Sequence, residues 1–292
     1  MAPAIGAYLL WGITPIYWKL VAMVPAHEIL VPRIFWTGAL MVVLLLATRR
    51  MGDLLATART HFLPTVAAAL LIATNWGIFI YAVQTGQIVA TSLGYYINPL
   101  VSIFLGLLIL GERLNRAQTL AVLCAGAGVA YVTVQAGRLP WIAACLAISF
   151  ALYGLAHKLA PRPPFVGLAL EMLILVPAAL LGWAILAARG ELTLASADWQ
   201  THALVALSGI VTAAPLLLFH AATHRLPLVT IGMLQYIAPT LSLVLAVVLY
   251  DEAFTWSHAI GFGCVWVGLA IFSADSLLRT RALPSDARAD PG

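Results

Sequence analysis

The sequence predicts an all-α membrane protein of ten transmembrane helices, arranged as two inverted five-helix repeats. Three observations carry that prediction. First, 63% of the 292 residues are hydrophobic and 9% are charged, with a mean hydropathy of +1.00, whereas a soluble domain carries about 25% charge. Second, the apolar residues form continuous runs of about 20, the length of a helix across a hydrocarbon core, rather than the alternation over about ten residues typical of a barrel strand. Third, residues 91–132 (TSLGYYINPLVSIFLGLLILGERLNRAQTLAVLCAGAGVAYV) align without a gap on residues 231–272 (IGMLQYIAPTLSLVLAVVLYDEAFTWSHAIGFGCVWVGLAIF). The offset of 140 superposes Tyr96 on Tyr236, Ile97 on Ile237, Pro99 on Pro239, Ser102 on Ser242, Leu105 on Leu245, Glu112 on Glu252, Cys124 on Cys264, Gly128 on Gly268 and Ala130 on Ala270. Nine identities in 42 positions exceed the roughly three or four that so skewed a composition supplies. A repeat of this scale in an apolar chain points to two related halves.

In chain order the runs fall near 2–24, 28–48, 62–84, 88–110, 116–135, 139–157, 164–187, 202–223, 228–250 and 255–277. The first begins almost at Met1 without a basic leader and is long enough to span, so it reads as a retained helix rather than a cleaved signal. Lys19 ends it, and Glu28 and Arg33 open the second. The third carries Thr74, Asn75, Trp76 and Tyr81. The fourth sets Thr91, Tyr95, Asn98 and Ser102 on one helical face, with Tyr96 on the adjacent flank. There Pro99 removes a backbone donor and frees the carbonyl of Tyr95. The fifth, sixth and tenth hold Cys124, Cys145 and Cys264, which read as small packing residues rather than a disulfide framework or a metal site. Lys158 ends the sixth, and Glu171 lies inside the seventh. The eighth carries Thr212, Pro215 and His220, with Pro215 at the repeat position of Asn75. The ninth repeats the pattern of the fourth through Gln235, Pro239 and Ser242, again with a tyrosine, Tyr236, on its flank. Two proline-interrupted helices at matching positions point to a substrate site at the midplane. Residues 279–292 are polar and proline-containing and read as a disordered cytoplasmic tail, leaving repeats of 1–136 and 137–278.

Charge fixes the orientation. With a cytoplasmic amino terminus, that side receives Arg49, Arg50, Arg59, Arg113, Arg116, Lys158, Arg162, Arg225, Arg279, Arg281 and Arg288, against Arg138 and Arg189 outside. This strong positive-inside bias places both termini in the cytoplasm. Five spans per half is an odd number, so the second half enters the membrane upside down. The repeat-equivalent loops agree. Gly111-Glu112-Arg113 with Arg116 carries two arginines, and Asp251-Glu252-Ala253 with Trp256 carries none. The same arginines explain the net charge of +4. They are scattered over short loops, which argues against a nucleic-acid partner.

Polar side chains inside a span need a partner or a water-filled cavity. Asn75, Trp76, Tyr95, Tyr96, Asn98, Gln235, Tyr236 and His220 are therefore the candidate substrate contacts, an amide beside an indole being suited to grip a polar, partly apolar solute. Lys19 with Glu28 or Arg33, and Lys158 with Glu171, recur across the first two spans of each half and are the candidate gating or coupling groups. No P-loop, GxSxG, HExxH or Cys/His cluster is present, so the sequence offers neither an ATPase nor an enzyme active site, and no metal or cofactor is expected. The expected partners are a small-molecule substrate and the lipid bilayer.

The same residues carry a family resemblance. LLWGITPIYWKL, PAHEILVPRIFW, NWGIFIYAV, SLGYYINPLVSIFLGLLILGER and LQYIAPTLSLVLAVVLYDE are similar to the RarD branch of EamA transporters, in the drug/metabolite transporter superfamily. The resemblance covers nearly the whole chain and implies ten helices in two inverted repeats and a central cavity. It also implies export of small metabolites across the bacterial inner membrane, with a connection to chloramphenicol-like drugs. The expected function is a secondary transporter of an amino acid or related compound working by alternating access. A channel-like uniporter or an importer is the alternative.

Overall fold

The computed structural model describes residues 1–85, 87–135, 137, 141–251 and 256–282. The expected tail lies outside these residues from position 283 onward, and Glu252 and Arg138 lie outside them as well. Residues 279–282, assigned to the tail by the sequence, belong instead to the last helix.

The described residues are helical, with no strand among them. In order they form α1 (Ala2–Leu20), α2 (Ala26–Ala47), α3 (Met51–Thr60), α4 (Phe62–Gln84), α5 (Ile88–Leu108), α6 (Arg116–Gln135), α7 (Trp141–Leu159), α8 (Pro164–Ala188), α9 (Trp199–Thr223), α10 (Leu228–Gln235), α11 (Ile237–Leu249) and α12 (Trp256–Ala282), with a single 3-10 turn at Leu194–Ser196. Nine stretches among them are long and apolar enough to cross a membrane, Leu228–Leu249 counting as one. The remaining expected span is α1. It has 19 residues, but Tyr8, Trp11, Tyr17, Trp18 and Lys19 dilute its apolar character.

Two features depart from the sequence reading. The stretch expected as a loop between Arg49 and His61 is the ten-residue helix α3, which buries Leu54 and Thr57. The ninth span is divided, but at Tyr236 rather than at Pro239. Tyr236 closes α10 with a tight N–H bond to the Met233 carbonyl, and Pro239 cannot donate to the Gln235 carbonyl one turn earlier. All eight residues of α10 are buried, and none of α11 is. In the fourth span Pro99 is accommodated within a continuous α5.

Helix starts are fixed by side chains drawn from several places. Asp198 caps α9 by accepting from the Thr201 N–H at 2.8 Å, and this hydrogen bonding holds its carboxyl below the usual range. Asn115 and Gln118 form a reciprocal capping box at α6, with bonds of 2.9 and 3.2 Å. Asn115 also donates to Asp275 of α12 at 2.7 Å.

The bundle packs in a repeating pattern. α1 lies against α9 and α11, and α7 lies against α4 and α5; α2 pairs with α8, α5 with α10, and α6 with α12. In lipid, helices associate through close packing of small residues rather than through exclusion of water. At the α6–α12 contact a Cβ on Gly128 would lie 2.5 Å from the Gly261 carbonyl oxygen, and one on Gly268 would lie 2.6 Å from that of Ala121. Residues 121 and 261, like 128 and 268, are separated by the repeat offset, so the contact is reciprocal. The same offset relates Gly111 and Asp251, both left-handed with φ of 63° and 52°.

Because the obstacle at Gly128 is backbone, it cannot move aside as a side-chain tip would. Gly128→Ala is expected to destabilise the purified protein by about 1–3 kcal/mol through overpacking. Gly126→Ala, where a Cβ meets open space, should be neutral or slightly stabilising by helix propensity, up to about 1 kcal/mol. Thermal unfolding of both variants in detergent checks the contrast.

Candidate functional site

Arg33 is the eighth residue of α2, well inside the span. Its Nε donates to Thr212 Oγ1 of α9 at 2.7 Å. The guanidinium lies 4.1 Å from the ring centre of Trp76 on α4 and 5.4 Å from that of Trp18 on α1. Tyr17 and Tyr95 are its electrostatic neighbours. Arg33 is partly accessible and Tyr95 is 47% exposed. The Tyr95 ring lies 6.4 Å from that of Phe79. No carboxylate among the described residues lies within ion-pair distance of Arg33. An unpaired charge at this depth costs about 2.5–3.5 kcal/mol on insertion scales.

A second polar group sits where α5 meets α10. Ser102 donates to Gln235 Oε1 at 3.3 Å, and the hydroxyl of Tyr8 on α1 is beside the same amide. Tyr96 and Tyr236 are neighbours, and Tyr96 packs edge-on against Phe262 at 4.7 Å. The hydroxyls of Tyr8, Tyr96 and Tyr236 and the Oδ1 of Asn98 are buried without a hydrogen-bond partner among the described residues. Such orphans are rare in a folded interior, where an unmet polar atom costs about 1–3 kcal/mol.

Asn75 does not join either group. Its amide donates to the Leu146 carbonyl at 2.9 Å and to Ser149 Oγ at 3.0 Å, tying α4 to α7. His220 is likewise drawn elsewhere, into a fully buried network around Glu171. Tyr153 donates to Glu171 Oε2 at 2.8 Å. Its oxygen lies 2.6 Å from His220 Nε2. A hydroxyl has one proton, so with Tyr153 donating to Glu171 it is Nε2 of His220 that donates, and the ring's other nitrogen is Nδ1. That Nδ1 is left without a partner. His157 Nε2 lies 2.9 Å from Glu171 Oε1, and its ring stacks on His220 at 3.7 Å. Arg162, in the loop between α7 and α8, reaches Glu171 Oε1 at 3.8 Å and donates to Thr65 Oγ1 at 2.6 Å.

Burial pulls the Arg162 guanidinium below its usual pKa, opposed by Glu171 and Tyr153. Burial also lowers His224, assisted by the positive charges of Arg162, Lys158 and Arg225. A neutral His224 is what accepts the Arg162 N–H at 3.3 Å. The donor atoms of His157, Glu171 and His220 fall within 4.8 Å of one another, a spacing a small cation can bridge. The Arg162 guanidinium, on the same carboxylate oxygen, opposes a second positive charge there.

The expected gate pairs are not made in this structure. Lys19, in the last turn of α1, lies over the Tyr250 ring at 3.5 Å. Glu28 accepts from the Thr193 N–H, the Thr193 hydroxyl and the Leu194 N–H at 2.8–3.0 Å. Lys158 donates to the Leu226 carbonyl at 2.7 Å instead of turning to Glu171. In each case the long side chain finds an orphan backbone group or a ring face closer than the opposite charge.

Sequence reasoning missed Tyr153, His157 and Arg162 as partners of Glu171. The helical spacing of Tyr153 and His157 on one face was available, but the loop reach of Arg162 was not. It also missed the role of Glu112, which accepts from the N–H groups of Leu228 and Val229 at 2.6 and 2.8 Å. α10 begins at Pro227, which offers no side-chain cap, and Glu112 supplies one from a distant loop. A Cβ at Gly106 would lie 2.8 Å from Glu112 Oε2, so that glycine leaves room for the carboxylate.

Comparison with known proteins places these features in context. The EamA-like transporter family matches the chain twice, over residues 2–134 and 140–274. The chain is 41% identical to Protein RarD of Escherichia coli over 281 residues, covering 95% of each chain. It is 41% identical to the uncharacterized transporter YojE of Bacillus subtilis over 285 residues, 96% of this chain and 95% of that one. At 28% identity it is similar to the chloramphenicol-sensitive protein RarD of Pseudomonas aeruginosa over 290 residues, 96% and 95% of the two chains. A crystal structure at 22% identity has the same fold, with a TM-score of 0.73 over 97% of this chain and 98% of the other.

The Glu171 network makes a direct prediction. Glu171→Leu leaves Arg162 buried without its counter-charge and is expected to cost about 3–5 kcal/mol. Combining it with Arg162→Met should recover a large part of that loss, because both charges are then gone. A double-mutant cycle by thermal unfolding reads the coupling directly. Additive losses would mean that the two groups do not stabilise one another.

Proposed function

The chain belongs to the EamA-like transporter family as a RarD-type member, hence a multi-pass membrane transporter, and we propose that it exports a small organic metabolite by alternating access. On this reading the repeats 1–136 and 137–278 are inverted halves that rock about a fixed central site. Both termini face the cytoplasm, and the inner membrane is the setting. The family's one match in each half, the reciprocal α6–α12 contact and the paired left-handed residues Gly111 and Asp251 support the repeat. The positive-inside bias supports the orientation.

The observation that carries the reading is the accessible Arg33, with no acid beside it among the described residues, together with the Oδ1 of Asn98 and the hydroxyls of Tyr96 and Tyr236, which are among the buried polar atoms left unmet in the bundle. A helical bundle in lipid is expected to satisfy its polar groups internally unless they line a cavity. Trp76, Tyr95, Tyr96, Asn98, Gln235 and Tyr236 are the proposed substrate contacts, while Asn75 and His220 are assigned to packing. An amino acid or a related metabolite fits such a mixture of aromatic walls and a few polar groups. The name of the Pseudomonas relative adds chloramphenicol-like drugs to the compounds worth testing.

Two measurements test this reading. In proteoliposomes the protein should give saturable, competable flux of a small solute. Asn98→Leu should lower that flux by about tenfold, one hydrogen bond's worth of binding, while thermal stability is kept or raised because an unmet acceptor is removed. Unchanged flux in Asn98→Leu would return the residue to packing. For the orientation, Gly52→Cys and Glu191→Cys in a cysteine-free background should be labelled from opposite faces, Gly52→Cys from the cytoplasm and Glu191→Cys from outside. Labelling of both from one face would overturn the inverted arrangement.

A further inference from the structure

We propose that Arg33 is the group that recognises a carboxylate on the transported solute, so that the substrate class is small organic acids and amino acids with an apolar or aromatic body. This deepens the transport reading and rests on it. The inference starts from the way the side chain is held. Thr212 Oγ1 fixes Nε at 2.7 Å, and Trp76 lies against the guanidinium at 4.1 Å. A guanidinium anchored through Nε and stacked on one face keeps its terminal amino edge free, and that edge is the fork that takes a carboxylate through two parallel hydrogen bonds.

The missing charge is the second part. Glu171 is the eighth residue of a helix that begins at Pro164, and Arg33 is the eighth residue of one that begins at Ala26, each preceded by a proline N-cap. The two residues hold the same place in their helices and carry opposite charges. Glu171 is enclosed by Tyr153, His157 and Arg162. Arg33 has aromatic neighbours and a hydroxyl, but no acid among the described residues. Both buried carboxylates described in the bundle are already engaged, Glu28 by Thr193 and Leu194 and Glu171 by its network, and the half-buried Glu112 is taken by α10. No described acid supplies the counter-charge of Arg33, which leaves a place for an anionic ligand, and the neighbouring rings favour one with an apolar body. Trp18, Tyr17 and Tyr95 offer apolar ring surface beside the cation, which suits an anion with a hydrophobic body better than a hydrated inorganic ion.

The test uses paired probes that differ only in charge: phenylalanine and phenylalaninamide, leucine and leucinamide, benzoate and benzamide. Thermal stabilisation of the purified protein is measured for each, and flux is measured in proteoliposomes. At least one carboxylate should raise the melting temperature of the wild type with its amide partner at least tenfold weaker. Arg33→Gln, checked for an unchanged melting profile without solute, should lose that preference. Arg33→Lys keeps the charge without the fork, and serves if the glutamine variant does not fold; it should weaken carboxylate binding severalfold while leaving the amides unaffected. Equal response to acid and amide, an Arg33→Gln variant that keeps the preference, or no response to any carboxylate overturns the assignment. Saturable flux that ignores the charge difference overturns it as well, while leaving the transport reading intact. Arg33-dependent carboxylate binding without flux upholds the assignment and overturns transport.

Discussion

A charge carried into the bilayer must be met by an opposite charge, by hydrogen-bonding groups or by a hydrated space, and that requirement orders the interior of this bundle. The three acidic side chains traced above are met in two ways. Glu28 and Glu112 receive the N–H groups of helical turns that begin without a side-chain cap of their own, where the positive end of the peptide dipoles also favours them. Glu171 is met by a tyrosine, a histidine and an arginine, and is closed to solvent. Each solution ties together elements far apart in sequence: α2 to the 3-10 turn, the Glu112 loop to α10, and α7 to α8 and α9. Against this background Arg33 stands out because its partners are rings and a hydroxyl.

The same requirement shapes the divided ninth span. α10 is capped by Glu112, buried along its length and set against α5, whereas α11 lies outward against α1. One half of the span is bound into the core, and the other half contributes little to it. The break at Tyr236 therefore separates two pieces with different mechanical support, close to Gln235 and the unmet hydroxyls. A discontinuous helix is one of the few ways to bring polar backbone to mid-membrane without a lipid-facing penalty.

Much of this architecture was legible in the sequence because hydropathy and length are local properties. The apolar runs that became the long helices could be read from residue order. α3 escaped notice because its ten residues are too few to span and include Asp53 and Arg59, so composition marked it as a loop. The break at Tyr236 was displaced from the proline that signals it, since Pro239 removes a bond to a carbonyl one turn upstream. The ionisable residues were identified correctly as unusual, yet their partners were not. Lysine reaches a backbone carbonyl as readily as a carboxylate, and the donors to Glu28 and Glu112 lie more than a hundred residues away. Asn75 and Asn98 look alike in sequence, but only Asn75 faces a carbonyl and a hydroxyl on α7.

The α6–α12 contact is built from positions 140 residues apart. Gly128 meets residue 261, and Gly268 meets residue 121, so the two faces are the same face used twice. Such a surface is isologous: it would close two separate copies of a half-length chain as readily as it closes one fused chain. In a homodimer every substitution is felt on both sides at once, and a methyl added at one position clashes twice. Joining the halves in one polypeptide removes that doubling. The two sides can then differ singly, and residue 121 is alanine where residue 261 is glycine.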